Sequence, residues 1–332
     1  MKSTARAHSN IALIKYWGKR NEELILPFNN SVSVTLDNLW TETTVEFSKN
    51  YSEDLIILNN KKLDSNSTSY QRIQNHLELI KKQSPILRNA HARTRARVES
   101  NNNFPTASGL ASSASGFAAL TLAACKAANL NVTKKELSII ARQGSGSASR
   151  SIFGGFVEWE KGESSSDSFA KQLFDKNHWP EFKILVVVLE TNKKEKSSRN
   201  GMQNTVKTSP FYKEWLRTIE KDISEIKDGI KNKNFSVVGK VAEHNCIKMH
   251  TTMMTSQPPL FYWKPKTLEI IHQLWDLRKN GLENYFTSDA GPQLKILCEE
   301  KNEKEILNFL STIKGIKKII PCSAGPGAKV IS

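Results

Sequence analysis

Hydrophobic and polar positions along the chain switch between two periods. Residues 31–36 alternate polar and apolar side chains, and residues 41–47 are rich in β-branched types; both predict strands. Residues 53–59 predict another. From Tyr70 to Lys82 the apolar positions Ile73, Leu77 and Ile80 recur at helical spacing. Residues 92–99 alternate Arg with small residues, which predicts an exposed or edge strand with Arg93, Arg95 and Arg97 on one face. A polar loop over 101–109 runs into an Ala-rich stretch, 110–128, with strong helix propensity. Residues 134–142 predict a second helix, 144–151 form a tight small-residue segment, and 152–159 return to strand-like alternation. After a polar turn at 163–168, residues 183–190 predict a buried strand. Helical patterns follow at 211–231, 235–249 and 266–279. Strands are then expected at 284–287 and 294–298, a helix at 303–311, and short strands at 317–320 and 329–331. Strand and helix do not alternate regularly, which favours an α+β fold over a doubly wound parallel sheet. No solenoid-type repeat is present. The division into domains is expected near 180–195, giving an N-terminal domain of 1–190 and a C-terminal domain of 191–332.

Composition narrows the class. With 332 residues, 38% of them hydrophobic, the chain is long and apolar enough to bury a sizeable core. No apolar run approaches a membrane span, and the first ten residues carry no apolar signal-peptide stretch. Cys125, Cys246, Cys298 and Cys322 are far apart, which excludes a CxxC metal clip and argues for reduced thiols in a cytoplasmic protein. The 48 Lys and Arg exceed the 33 Asp and Glu, a formal charge of +15 that attracts anions. Lysine clusters such as 193–196 and 231–233 suit a solvated face, so charge alone does not choose a partner. Single-strand nucleic-acid readers interleave aromatics with basic residues, and the Arg93/Arg95/Arg97 strand has none, so no nucleic-acid partner is expected. No membrane partner is expected either.

The most informative stretch is Pro105-Thr-Ala-Ser-Gly-Leu-Ala-Ser-Ser-Ala-Ser-Gly116. Small residues at a helix start let an oxyanion approach the free backbone N–H groups, and the helix dipole adds a favourable field. Ser112 and Ser113 could add hydroxyls to a phosphate or to its Mg²⁺. The chemistry points to nucleotide phosphates, yet the loop is neither a Walker A motif nor a dinucleotide fingerprint. Composition alone suits a close-packed Ala/Ser helix equally well.

The loop resembles the phosphate-binding motif of the GHMP kinase superfamily. More narrowly, an ordered set of segments resembles the mevalonate diphosphate decarboxylase family. These are Asn10-Ile-Ala-Leu-Ile-Lys-Tyr-Trp-Gly-Lys19, Asn103-Phe-Pro-Thr-Ala-Ser-Gly-Leu-Ala-Ser-Ser-Ala114 and Arg142-Gln-Gly-Ser-Gly-Ser-Ala-Ser-Arg150. Gly154-Gly-Phe-Val-Glu-Trp159, Ser197-Ser-Arg-Asn-Gly-Met202, Ser288-Asp-Ala-Gly-Pro292 and the tail Ser323-Ala-Gly-Pro-Gly-Ala328 complete the set. Three departures are Ser108 where Ala is expected, Ser149 in place of a common Cys, and Gln293 where Asn is usual.

The resemblance implies a two-domain GHMP-type fold with a cleft between the domains, and a homodimer. It implies ATP-dependent decarboxylation of (R)-5-diphosphomevalonate, with ATP as co-substrate and Mg²⁺ as cofactor. The alternatives are a phosphomevalonate decarboxylase or a mevalonate-type kinase of the same superfamily. It assigns Asp289 to the substrate 3-hydroxyl and Arg150 to its carboxylate. Tyr16, Lys19, Ser198 and Arg199 are implied diphosphate contacts, with Lys19 also placed at the catalytic centre. Ser145 and Ser147 are further substrate contacts. Pro105, Ser108, Gly109, Leu110, Ala111, Ser112, Ser113 and Lys193 are implied ATP contacts, and Ser112 is the candidate Mg²⁺ ligand. Lys15 is also placed facing the site, and Trp17 is read as core. In isolation, an Asp before Ala-Gly-Pro is a turn residue, and the histidines, His244 and His250 included, lack HExxH spacing and read as structural.

Overall fold

The computed structural model describes residues 1–88, 94–104, 112–189 and 197–332. Two sheets organise it. The strands Lys2–Ile14 and Ser31–Ser48 run antiparallel, with register shifts between His8 and Asn10 and between Ala12 and Ile14. The larger sheet grows from this pair in the order Lys329–Val330, Lys2–Ile14, Ser31–Ser48, Arg95–Asn102, Leu55–Leu58, Lys61–Lys62. Phe156–Trp159 also pairs with Ser31–Ser48 and carries Ala170–Phe174 on its other side. The second sheet runs Tyr285–Thr287, Leu294–Glu299, Phe182–Val188, Lys318–Cys322. The mixed architecture is the expected α+β class. No helix among the described residues is long and apolar enough to cross a membrane.

Local chemistry explains where the pattern misled. The expected strands 31–36 and 41–47 form one strand, Ser31–Ser48, and the polar pair between them is bonded to the C-terminal segment. Asp37 Oδ1 accepts the Ser323 N–H at 2.9 Å, and Asn38 donates to the Pro321 carbonyl at 2.7 Å. The strand Lys2–Ile14 was not anticipated, because its polar residues are buried rather than alternating outward. His8 Nδ1 lies 2.8 Å from the Leu36 carbonyl, and Ser9 Oγ lies 3.2 Å from Ser115 Oγ. Most buried polar groups are paired in this way. Arg95–Asn102 is not an edge: it pairs antiparallel with Ser31–Ser48 on one side and parallel with Leu55–Leu58 on the other. Arg97 is nonetheless exposed and paired to Glu99; Arg93 lies outside the described residues. The strand Ala170–Phe174 and the helix Ser198–Thr208 were also unforeseen.

The Ser112–Ala127 helix lies on the long strand pair. Ala114, Ala118, Ala119, Ala123 and Ala124 are fully buried there, and their small side chains permit the close approach. Phe182–Val188 precedes the expected division at 190/191, yet it pairs within the second sheet. The C-terminal glycine segment crosses back to the first sheet. Gly325 N–H donates to the Thr35 carbonyl at 2.6 Å, and Gly325 accepts from the Gly155 N–H at 2.9 Å. A Cβ on Gly325 would stand 2.4 Å from the Leu36 carbonyl carbon, so only glycine fits. One apolar cluster contains Val32 and Val34 of the first sheet together with Ile184 and Val186 of the second. The two sheets are thus locked around a shared core, and the cleft between them is built on packed walls.

Candidate active site

The first strand ends at Ile14 and delivers the next five residues to the cleft. Lys15 is held at both backbone ends: its N–H donates to Asn245 Oδ1 at 2.9 Å, and its carbonyl accepts from Asn29 at 2.9 Å. Trp17 is core, with its indole N–H on Thr205 at 3.1 Å and its carbonyl under the Tyr212 hydroxyl at 2.7 Å. Tyr16, between them, meets Trp159 edge-on with ring centroids 4.7 Å apart. Its phenol is raised well above the ordinary range, first by burial and next by the charge of Glu22. It stays a neutral hydroxyl.

Asp289 sits in the turn before the Gly291–Pro292 peptide, which is cis. Its Oδ1 accepts from Lys15 Nζ at 3.0 Å and its Oδ2 from Lys295 Nζ at 3.1 Å. Burial alone would raise this carboxyl, but the two ammonium groups overcome it and hold the acid below the usual carboxylate range. The helix Phe235–Met254 fixes the turn behind it. His250 Nε2 lies 2.8 Å from the Asp289 carbonyl, and Cys246 Sγ receives the Ser288 N–H at 3.1 Å. Burial pushes His250 down to about 3, so the ring is neutral and donates this bond. Gln293, the residue expected to be Asn, accepts the Leu189 N–H and so ties the turn to the second sheet.

Arg150 follows the small-residue segment and is buried, at 3% exposure. Its Nε donates to Asn10 Oδ1 at 3.1 Å and its Nη1 to Ser31 Oγ at 2.6 Å. Burial lowers it to about 10, against the opposing pull of Asp289, so it remains charged at neutral pH. Arg142, in the same motif, is spent on structure: it donates to the Leu24 carbonyl at 3.1 Å and the Ser165 carbonyl at 3.0 Å.

The opposite side of the cleft is cationic. Lys19 opens the short strand Lys19–Asn21, and its ammonium pairs with Glu22. Burial lowers the Lys19 ammonium, Glu22 opposes that, and Arg199 and Arg72 reinforce it. Ser198 and Arg199 occupy the first turn of the helix Ser198–Thr208, whose N-cap Ser197 accepts from the Asn200 N–H at 3.2 Å. A Cβ on Gly201 would meet the Tyr262 hydroxyl at 2.5 Å, so the glycine lets this helix lie against Tyr262.

These pieces meet in one cavity of about 330 Å³. Tyr16, Lys19, Ser112, Ser113, Ser145, Ser147, Arg150, Ser198, Arg199 and Asp289 all line it, as does Lys15. Pro105, Ser108, Gly109, Leu110, Ala111 and Lys193 lie outside the described residues. Arg72, on the helix Thr68–Gln83, lines the cavity and was missed. Its helix was legible, but a single Arg on an amphipathic helix gives no signal of its own. Arg72 Nη2 donates to the Gly144 carbonyl at 3.1 Å, its guanidinium sits 5.0 Å from the Phe117 ring, and its buried Nε has no partner among the described residues. Asn10, which accepts from Arg150, and Lys295, which donates to Asp289, were likewise not singled out from the sequence.

A second cavity of about 290 Å³ adjoins the first and shares Arg72, Ser112 and Ser113 with it. Its walls are apolar, from Leu58, Ile73, Val98, Phe117 and Leu120, with Thr43, Ser69, Ser100 and Asn102 supplying polar groups. Apolar walls with a few polar groups suit a flat heterocycle. The start of the Ser112–Ala127 helix, at the junction, suits an anion.

Comparison with known proteins agrees with this geometry. Residues 7–170 match the family model described as the diphosphomevalonate decarboxylase-like N-terminal domain, and residues 184–329 match that of the mevalonate 5-diphosphate decarboxylase C-terminal domain. The chain is 38% identical to the diphosphomevalonate decarboxylase of Debaryomyces hansenii, over 96% of this chain and 85% of the relative. It is 37% identical to the human enzyme of the same name, over 92% of this chain and 78% of the relative. Among solved structures, the mevalonate diphosphate decarboxylase of Enterococcus faecalis is 45% identical with a TM-score of 0.91, covering 100% of this chain and 99% of that one. That of Staphylococcus aureus is 40% identical with a TM-score of 0.92, covering 100% and 98%. A further structure, described as "MDDEF in complex with MVAPP, AMPPCP and Magnesium", is 45% identical with a TM-score of 0.92, covering 100% and 99%. With both halves of its cleft matched by the family's two domain models, the chain belongs to the diphosphomevalonate decarboxylase family.

Proposed function

We propose that this protein converts ATP and (R)-5-diphosphomevalonate into isopentenyl diphosphate, ADP, phosphate and carbon dioxide. The observation that carries the reading is the sharing of one cavity by Asp289, Arg150 and the Lys19/Arg199 cations, next to a second cavity reached through Arg72, Ser112 and Ser113. The family names and the complex with MVAPP, AMPPCP and magnesium support it.

The chemistry explains the double arrangement. Decarboxylation needs somewhere for the electrons of the breaking C–C bond to go, and this substrate has no β-carbonyl. A tertiary hydroxide leaves poorly, whereas phosphate leaves well. In the first step the γ-phosphorus of ATP forms a bond to the 3-hydroxyl oxygen, its bond to ADP breaks, and the hydroxyl proton passes to Asp289. In the second step the C3–O bond breaks with its electron pair on phosphate. The C1–C2 bond pair then becomes the C2=C3 double bond and CO₂ is released. Arg150 holds the carboxylate in line for this step. Lys19, Arg199 and Ser198, with the neutral Tyr16 hydroxyl, bind the diphosphate, and Ser145 and Ser147 contact the substrate from the small-residue segment. The second cavity takes the nucleoside, with the γ-phosphate directed past Ser112 and Ser113 toward Arg72.

Among the described residues no group of three or more His, Cys, Asp or Glu could hold a metal. The hydroxyl donors at the junction instead fit a hard cation carried by phosphate oxygens and water, with Ser112 as its protein ligand. Such a Mg²⁺ ion neutralises phosphate charge. We infer two domains dividing in the 180–195 region, on the N-terminal side of Phe182–Val188, and a cytoplasmic homodimer, supported by the family resemblance and, for the compartment, by four buried free thiols.

The test is to supply ATP with diphosphomevalonate, monophosphomevalonate or mevalonate and to follow ADP and CO₂ together. Equal amounts of both from the diphosphate alone are expected. ADP without CO₂ from any of them would replace the decarboxylase by a kinase, and CO₂ chiefly from the monophosphate would reassign the substrate.

A further inference from the structure

Lys295 belongs to the strand Leu294–Glu299, where Leu294, Ile296, Leu297 and Cys298 are fully buried around it. Its own side chain has 0% exposure, and its Nζ reaches Asp289 Oδ2 at 3.1 Å. Lys15, at 2% exposure, reaches Oδ1 at 3.0 Å. Asp289 itself is 32% exposed and lines the cavity, and so does Lys15; Lys295 is not among the lining residues. An ammonium inside an apolar strand is strongly disfavoured unless paired, and burial does lower Lys295 against the pull of Asp289.

We infer that Lys295 is a positioning residue for the proposed decarboxylation, acting from behind Asp289 without touching substrate; the inference rests on the reading above. With each oxygen held by a separate ammonium, the carboxylate is fixed in rotation and kept ionised. Its lowered basicity makes it a poor base toward an ordinary tertiary alcohol. It therefore orients the 3-hydroxyl first. It takes the proton late, after the oxygen has begun to bond to phosphorus and become acidic. Lys295 sets that order. The other groups facing this carboxylate are Lys15 and Arg150, both positive, while the neutral His250 and the Cys246 thiol contact the backbone of its turn.

Lys295→Met should lower kcat by roughly 10- to 100-fold while KM for either substrate changes little, as expected when the partner of a reacting group is lost. With one opposing cation gone, burial raises the Asp289 carboxyl, and the acid limb of the kcat–pH profile, held below the usual carboxylate range by the two lysines, should move up into that range. Lys295→Arg should recover part of kcat and return the limb toward its original position. Circular dichroism and binding of the non-hydrolysable nucleotide AMPPCP confirm the fold; if Lys295→Met is unfolded, Lys295→Gln replaces it. Unchanged kcat, or a fall with an unmoved pH limb in a folded variant, overturns the inference. Loss of the fold in both variants also overturns it, since the lysine would then be structural only. Wild-type turnover to CO₂ in the same assay separates this failure from failure of the reaction itself.

Discussion

The two ends of the cavity are built on opposite principles. Around Asp289 every charge has a designed neighbour: two lysines on one carboxylate, His250 and Cys246 on its turn, Asn10 and Ser31 on Arg150. Around Lys19 the positive groups outnumber the negative ones. Lys19 has Glu22, while Arg199 is exposed and lowers the Lys19 ammonium by repulsion, as does Arg72. The first end is complete before any ligand arrives, as a site for bond-making must be. The second end is short of negative charge, which the proposed diphosphate substrate would supply. On the proposed reading, reaction geometry and substrate affinity fall to different residues of one cleft.

Substitutions should separate the two ends. The largest effect belongs to Asp289→Asn, which keeps the shape and removes the charge between Lys15 and Lys295. Turnover should fall by roughly 1,000-fold or more, with nucleotide binding retained. Near-normal kcat in this variant would make Asp289 a turn residue and dissolve the distinction. Lys19→Ala comes next, with the reverse signature: KM for the diphosphate substrate rising by roughly 10- to 100-fold and kcat changing less. If kcat carries most of the loss, Lys19 belongs with the reacting end.

The last effect is read in stability and not in turnover. Burial depresses His250 to about 3, against about 6.5 in an unfolded chain. Between those values the unfolded state binds the extra proton. The stability that the neutral ring contributes is therefore present in full above about pH 6.5 and is lost as pH falls toward 3, by up to about 1.4 kcal/mol per pH unit. His76, depressed to about 4 by burial and by Arg72, adds a loss of the same sign. Thermal melts of His250→Gln should show a shallower decline over this interval; an unaltered slope would mean that the ring is not held neutral.

Much of this site was legible because its residues sit in short, ordered segments. The small-residue run before Arg150, the turn around Asp289 and the tail 323–328 were legible through their resemblance to the family's ordered segments, since Asp289 in isolation reads as a turn residue. The tail's Gly325 is required by its approach to Leu36. Arg72 and Lys295 lie outside those segments. Arg72 looks like any solvated residue on an amphipathic helix until the fold places it over Phe117. Lys295 interrupts an apolar strand, a signal that was present, but its meaning depends on a partner six residues away across a turn. The strand Lys2–Ile14 was hidden for the same reason: its buried polar residues find partners only after distant segments have packed, as Ser9 does with Ser115.

The central claim is that phosphorylation of the 3-hydroxyl precedes, and permits, loss of CO₂. Diphosphomevalonate labelled with ¹⁸O at the 3-hydroxyl tests it directly, by mass spectrometry of the inorganic phosphate released during turnover. The account predicts that the label leaves in phosphate, one labelled oxygen for each CO₂ formed. Label appearing in water, with unlabelled phosphate, would show that the hydroxyl departs without being phosphorylated and would contradict it.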